Sequence, residues 1–345
     1  MRPRASIFLI LLVVLALVFI MDIATGSVYV PPKAVFQLLL GKGCHNGSLS
    51  AIVFIFRLPK AICAALSGAG LAVSGLMLQT LFRNPLAGPS VLGITSGASL
   101  GVALVILGAG CSLRGAGFLS GLGLGGNVLL VAASALGAAL VLIVILILAG
   151  YVENVMTLLI VGILGSFALS SGVSVLVHFS RPEMVQAYLA WTFGSFSSVT
   201  WPQLRLFAPL ILILLLSSML LGKPLNGLLL GETYAKSMGI GTEKIRLIVL
   251  ALTALLVGAI TAFCGPVGFI GIAVPHLARA AIRTSDHGYL LPCTALCGAI
   301  VALVADLFAQ LPGHAAVLPL NAVTALIGSP VIIWFILRKK ARTFA

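Results

Sequence analysis

The chain has 345 residues, of which 61% are hydrophobic and only 8% charged. Soluble domains carry roughly 25% charged residues, and no soluble fold has the polar surface to cover so much apolar side chain, so the composition excludes a soluble globular protein and points to a lipid bilayer. The net charge of +13 does not indicate nucleic acid. A nucleic-acid face gathers its basic residues on one solvated surface, whereas these sit at the chain ends and between apolar runs.

A helix needs about 20 apolar residues to cross the hydrocarbon. Ten runs approach that length, at 6–24, 58–81, 90–107, 127–149, 156–177, 204–221, 244–263, 267–282, 289–311 and 320–337. The expected fold is therefore all-α: a polytopic membrane protein with about ten spans in a single transmembrane domain, 1–345.

The first run follows Arg2 and Arg4 and imitates a secretory signal. It is too long for a signal core and no small-x-small site follows, so it reads as a retained span. Residues 26–57 form an external segment. The second run contains Gly68-Ala69-Gly70-Leu71-Ala72-Val73-Ser74-Gly75. Its G-x-G lacks the preceding strand and third small residue of a dinucleotide fingerprint. Small residues four apart instead let helix backbones approach closely. The segment 180–203 carries Trp191 and Trp201, rings that settle at the membrane boundary, and residues 183–193 read as a short helix on the outer surface.

Between the sixth and seventh runs lies the most polar island of the chain, about 223–244. Its residues Gly231-Glu232-Thr233-Tyr234-Ala235-Lys236-Ser237-Met238-Gly239-Ile240 read as a short helix. Glu232 or Thr233 is expected to cap its start and Gly239 to end it in the left-handed conformation. Such a knob suits docking into a partner; the plain alternative is an ordinary connecting loop.

An even number of spans puts both termini on one side. Arg2, Arg4, Arg338, Lys339, Lys340 and Arg342 flank them, and the positive-inside rule places that side in the cytoplasm. Thirteen of the 20 Lys and Arg residues then fall inside and seven outside. A faint repeat accompanies this topology: Gly88-Pro89 after the second span and Gly265-Pro266 after the seventh each precede a Gly-rich run. Elements five spans apart cross in opposite directions, as in an inverted-topology repeat.

The chemistry-bearing residues are few. Cys63, Cys264, Cys293 and Cys297 lie in apolar runs and read as small core residues. Cys44 and Cys111 fall in external segments, where a disulfide between them is one option. Gly41-Lys42 and Gly222-Lys223 are not followed by Ser or Thr, so no phosphate-binding loop exists. Asp22 and Asp306 are the acids within spans, both near outer ends; an ion-coupled carrier usually wants an acid near the midplane. His45, His178 and His314 fall on or near the outer face. They are candidates for receiving haem iron, with scattered interfacial histidines as the bland reading. An intramembrane enzyme would need a nucleophile–base pair that is not evident.

Several stretches, in order, resemble one family over nearly the whole chain. They are Arg57-Leu58-Pro59-Lys60, the Gly68–Gly75 run, Gln79, Asn84-Pro85-Leu86-Ala87-Gly88-Pro89, Leu92-Gly93 and the Gly231–Gly239 loop. They continue with Gly268-Phe269-Ile270-Gly271, Pro275-His276, Arg279, Leu291-Pro292, Ala305-Asp306-Leu307 and Gly328-Ser329-Pro330. The family is that of FecCD/BtuC-like permeases, the membrane subunits of type II ABC importers for iron–siderophores, haem and cobalamin. The resemblance implies a homodimer around a central pathway, two cytoplasmic ATPase subunits that bind the ATP and magnesium, and an extracytoplasmic substrate-binding protein. The chain itself would bind no cofactor or metal and be no enzyme. It implies a cytoplasmic gate at Asn84, Pro85 and Leu86, an ATPase-coupling loop at Gly231–Gly239, and binding-protein docking through Arg57 and Lys60. The sequence departs from the family pattern at Gln310, often basic, and at Val155 and Met156, where some members have small hydroxyl residues. The expected cargo is an iron–siderophore first, haem or cobalamin next, with an ion-coupled secondary transporter as the rival reading.

Overall fold

Apolar residues run around the full circumference of most predicted spans, a pattern that leaves a backbone in lipid only one way to satisfy its polar groups. A computed structural model describes residues 2–26, 30–39, 47–109, 123–152, 155–310 and 317–343, and every regular element among them is helical. The helices are α1 (Arg2–Ala24), α2 (Pro32–Leu39), α3 (Gly47–Ala51), α4 (Leu58–Leu81), α5 (Ile94–Ala109), α6 (Gly123–Tyr151), α7 (Val155–His178) and α8 (Pro182–Thr192). They continue as α9 (Trp201–Met219), α10 (Gly222–Leu230), α11 (Glu232–Ser237), α12 (Thr242–Cys264), α13 (Ile270–Ile282), α14 (His287–Ala309) and α15 (Leu320–Thr343). Each of the ten predicted runs is a helix. Among the described residues, seven helices are long and apolar enough to span a membrane, and three shorter apolar ones accompany them. The outer-surface helix expected at 183–193 is α8.

Two of the short helices begin in the same way. A 3-10 turn, Pro89–Leu92, leads into α5 through Gly93 at φ 77°, and α13 begins directly after Phe269 at φ 64°. The Gly-Pro pairs seen in the sequence therefore mark two interrupted helix entries. Proline supplies no N–H to carry a helix further back. At the second entry, Asn321 of α15 accepts a hydrogen bond from the Gly268 N–H at 3.0 Å.

The chain forms two compact units. The first comprises residues 1–76, 195–226 and 267–345. In it α14 packs on α1, α9, α13 and α15. The first part of α4 lies against α14 and α13 through glycines: Gly68 meets the Gly298 carbonyl and Gly75 the Gly271 carbonyl, with no room for a Cβ at either. The Gly68–Gly75 run is thus a close-packing surface, as its spacing suggests. The α4 helix is entered through a π-helix, Ile52–Arg57, whose Phe54 carbonyl accepts the Trp201 indole N–H at 2.7 Å.

The second unit comprises residues 77–194 and 227–266. Here α5 packs on α6, α7 and α8, and α12 packs on α6. A cluster of Val102, Ala103, Ile106, Leu107, Val173 and Tyr188 fills the space beneath α8. Tyr188 stacks on Trp191 with ring centroids 6.4 Å apart. Burial pushes the Tyr188 hydroxyl above its ordinary pKa, opposed by a hydrogen bond with Ser99. Cys63, Cys264, Cys293 and Cys297 are buried thiols; Cys44 and Cys111 lie outside the described residues, as do His45 and His314.

Candidate functional site

The second unit contains a cleft of about 720 Å³ where three separately predicted pieces meet. One wall is the end of α4, one is the end of α10 with α11, and Val155 and Met156 at the start of α7 close the third side.

At the first wall, the Phe82 N–H donates to the Leu78 carbonyl at 2.9 Å and the Arg83 N–H to Thr80 at 3.3 Å. Arg83 itself takes φ 48°. Left-handed backbone is the ordinary way to leave a helix, but glycine or asparagine normally provides it; a residue with a Cβ costs roughly 1–2 kcal/mol there. The next residues form a tight turn. The Ala87 N–H donates to the Asn84 carbonyl at 3.1 Å, and the Leu86 N–H to the Asn84 side-chain oxygen at 2.9 Å. Asparagine opens such turns because its side chain imitates a backbone carbonyl, and Pro85 presets φ at the next position. The turn holds Leu86 out, 47% exposed. Asn84, Pro85 and Leu86 are the residues that the family resemblance implies as a gate.

At the second wall, the Arg83 Nη2 donates across to the Leu228 carbonyl at 3.1 Å. Leu228 lies in the last turn of α10, where its carbonyl also accepts the Gly231 N–H at 3.2 Å and where a cation is favoured. Gly231 follows at φ 119°, and a Cβ there would stand 2.9 Å from Arg83 Nη2. The position favours glycine for its backbone, and the end of the Arg83 side chain approaches the space that a Cβ would take.

The expected short helix is present as α11 (Glu232–Ser237), with one correction. Gly231, and neither Glu232 nor Thr233, occupies its N-cap, and no side chain caps it. The Gly231 carbonyl already accepts the Ala235 N–H at 2.8 Å, so helical bonding begins before either candidate cap. The end is as expected. Gly239 has φ 79°, its N–H donates to Lys236 at 3.0 Å, and the Ile240 N–H reaches back to Ala235 at 3.0 Å. That pair of bonds is the Schellman pattern. Ala235 is fully buried, whereas Tyr234 and Met238 are about half exposed at 53% and 48%. The knob is therefore anchored on one face and presents an aromatic ring and a thioether on the other, with Lys236 and Ser237 also exposed.

Arg57 and Lys60 do not stand where a docking role needs them. Both are buried in the first unit, at 7% and 5% exposure. Arg57 Nη1 donates to the Ile23 and Ala24 carbonyls at 2.8 and 3.0 Å, capping the C-terminus of α1. Gly26, at φ 149°, makes room for this guanidinium, since a Cβ there would lie 2.7 Å from Nη2. Lys60 Nζ lies 2.7 Å from Asp306 Oδ2 and 3.5 Å from Asp22 Oδ2. Gln310 donates to Asp306 Oδ2 and, at 3.5 Å, to Asp22 Oδ1. One lysine is thus held between two buried carboxylates, with Gln310 as a further donor. The exposed-cation expectation fails because Asp22 and Asp306 pair with the lysine from inside. The cluster also accounts for the acids within the spans without ion coupling.

Sequence reasoning missed two features. One is Arg83, which nothing distinguished from other loop-end arginines except its place just before Asn84-Pro85. The other is Asn226 on α10, in the first unit. Its Oδ1 accepts the His287 backbone N–H at 2.8 Å and faces His287 Nδ1 at 2.8 Å, while its Nδ2 donates to Asp286, the N-cap of α14, at 2.7 Å. His178 is exposed at the end of α7, edge-on to Phe179 at 5.0 Å. Among the described residues, no three metal-ligating side chains gather.

The model of the FecCD transport family matches residues 12–338, and the chain belongs to that family. It is 34% identical over 341 residues to the vitamin B12 import system permease protein BtuC of Klebsiella pneumoniae subsp. pneumoniae, covering 99% of this chain and 96% of that one. It is 34% identical over 342 residues to the hemin transport system permease protein HmuU of Yersinia pestis, covering 98% and 97%. A solved structure described as an inward-facing conformation of a metal-chelate type ABC transporter superposes with a TM-score of 0.82 at 29% identity, covering 97% of this chain and 99% of that one. The chain is a multi-pass permease subunit of an ABC importer, a transport protein and not an enzyme.

Proposed function

We propose that this permease moves a bulky metal chelate across the cytoplasmic membrane, as one half of a homodimer with both termini in the cytoplasm. Two ATPase subunits, which bind the ATP and magnesium, engage it from the cytoplasm, and an extracytoplasmic binding protein delivers the cargo. Cobalamin, haem and iron–siderophores are the candidate cargoes, in keeping with relatives named for vitamin B12 and hemin. The observation that carries the reading is the cleft, lined by α11 and by Arg83, the residue that leads into the Asn84-Pro85-Leu86 turn. In this reading Gly231–Gly239 is the ATPase-coupling segment and Asn84, Pro85 and Leu86 form the cytoplasmic gate. Docking of the binding protein then falls to exposed groups of the outer face instead of Arg57 and Lys60.

The test is uptake by proteoliposomes that contain the assembled importer, offered cyanocobalamin, haemin and a ferric hydroxamate in parallel. ATP-dependent accumulation of one of the three supports the proposal and names the cargo. Accumulation of none, by a complex that hydrolyses ATP, contradicts it.

A further inference from the structure

We propose that Arg83 is a positioning residue that transmits movement of α11 to the gate turn, an inference that rests on reading that turn as the gate and α11 as the ATPase-facing helix. Its backbone is the first sign. Arg83 holds φ 48° where glycine or asparagine is the ordinary residue, so an arginine is not needed for the local chain path. Its side chain is the second sign. The guanidinium crosses the cleft to the Leu228 carbonyl at 3.1 Å. The third is Gly231, the residue joining α10 to α11, whose missing Cβ leaves the space that Arg83 Nη2 approaches.

These contacts define a short route for force. A displacement of α11 moves Gly231 and the last turn of α10, to which the guanidinium is hydrogen-bonded. Residue 83 is covalently joined to Asn84, whose side chain closes the turn that holds Leu86 out. The planar, fully charged guanidinium keeps its donors fixed as a unit, and so resists the reorientation that would let a lysine slip. The 720 Å³ cleft beside it gives the two walls room to move. The plain alternative is that Arg83 only gives a helix-end carbonyl a second hydrogen bond and adds stability.

The left-handed backbone makes the two readings separable. Arg83→Gly suits φ 48° better than the native residue and removes the side chain, and Arg83→Asn also tolerates that backbone while being too short to cross the cleft. The experiment uses the complete importer, with its ATPase subunits, in lipid nanodiscs, and a Leu86→Cys reporter. Maleimide labelling is measured without nucleotide and after trapping with ATP and vanadate. With Arg83 in place the labelling rate should change roughly tenfold between the two states, and by less than about twofold in Arg83→Gly and Arg83→Asn. Arg83→Lys should fall between them, and the thermal midpoints of the glycine and asparagine variants should stay near that of the parent. A full nucleotide response in either short variant overturns the proposal and leaves the gate reading standing. Absence of a response with Arg83 present overturns the gate reading itself, and this proposal with it. A large loss of thermal midpoint in both short variants makes Arg83 a stability residue and also overturns the proposal.

Discussion

At the residue scale, the decisive finding is that a charged side chain's neighbours outweigh its sequence position. Arg57 and Lys60 look like cations at the mouth of a pathway, yet both are consumed internally, one by helix-end carbonyls and one by two carboxylates. The sequence contained Asp22 and Asp306, but they lie 38 residues upstream and 246 downstream of Lys60 by the numbering, so their meeting was not legible without the fold. The energetic consequence is specific. Removing one partner of a buried ion pair leaves an uncompensated charge and costs about 3–5 kcal/mol, whereas replacing the whole set with neutral groups is often harmless. Lys60→Met should therefore lower the thermal stability of the purified chain sharply, and Asp22→Asn, Lys60→Met and Asp306→Asn together should recover most of the loss. Equal stability of the single and triple variants would show that the loss does not come from carboxylates left without their lysine. By the same reasoning Arg57→Glu with Lys60→Glu should fail at folding or insertion, not at docking.

At the element scale, helix existence was well read and helix entries were not. The ten apolar runs are all helices because backbone in lipid must satisfy itself, and apolar length alone reveals them. The left-handed Gly239 was legible because glycine after a polar helical stretch is a strong stop signal. The start of α11 was misread because a glycine N-cap offers no side-chain signal. Gly239 supplies a direct test of the knob. Its φ of 79° is unfavourable for any β-branched residue, and nothing lies within 4 Å of an added Cβ. The penalty of Gly239→Val is therefore conformational, on the order of 1–2 kcal/mol, and local to the exit of α11. Membrane insertion and dimer formation should be retained while uptake and ATPase stimulation by the loaded binding protein fall together. Normal transport by this variant would contradict the coupling role. A cysteine placed at Lys236, which is exposed, should react with an impermeant thiol reagent in inside-out vesicles and not in intact cells; the reverse pattern would invert the topology.

At the scale of the whole molecule, composition established a membrane protein and the ordered motifs established the family, while the cargo stayed out of reach. Small and apolar residues suit several bulky chelates alike, because shape and delivery by a partner can select what a pathway need not. The division of labour is the central claim: this chain forms the path and another chain supplies the energy. Its sequence has no phosphate-binding loop, and the acids within its spans are matched by Lys60 and Gln310. The most direct measurement is cargo uptake into proteoliposomes that contain this permease with and without its ATPase subunits, with ion gradients collapsed by ionophores. Uptake should require the ATPase and internal ATP, should persist without any gradient, and the permease alone should hydrolyse no ATP. Gradient-driven uptake by this chain alone would contradict the account.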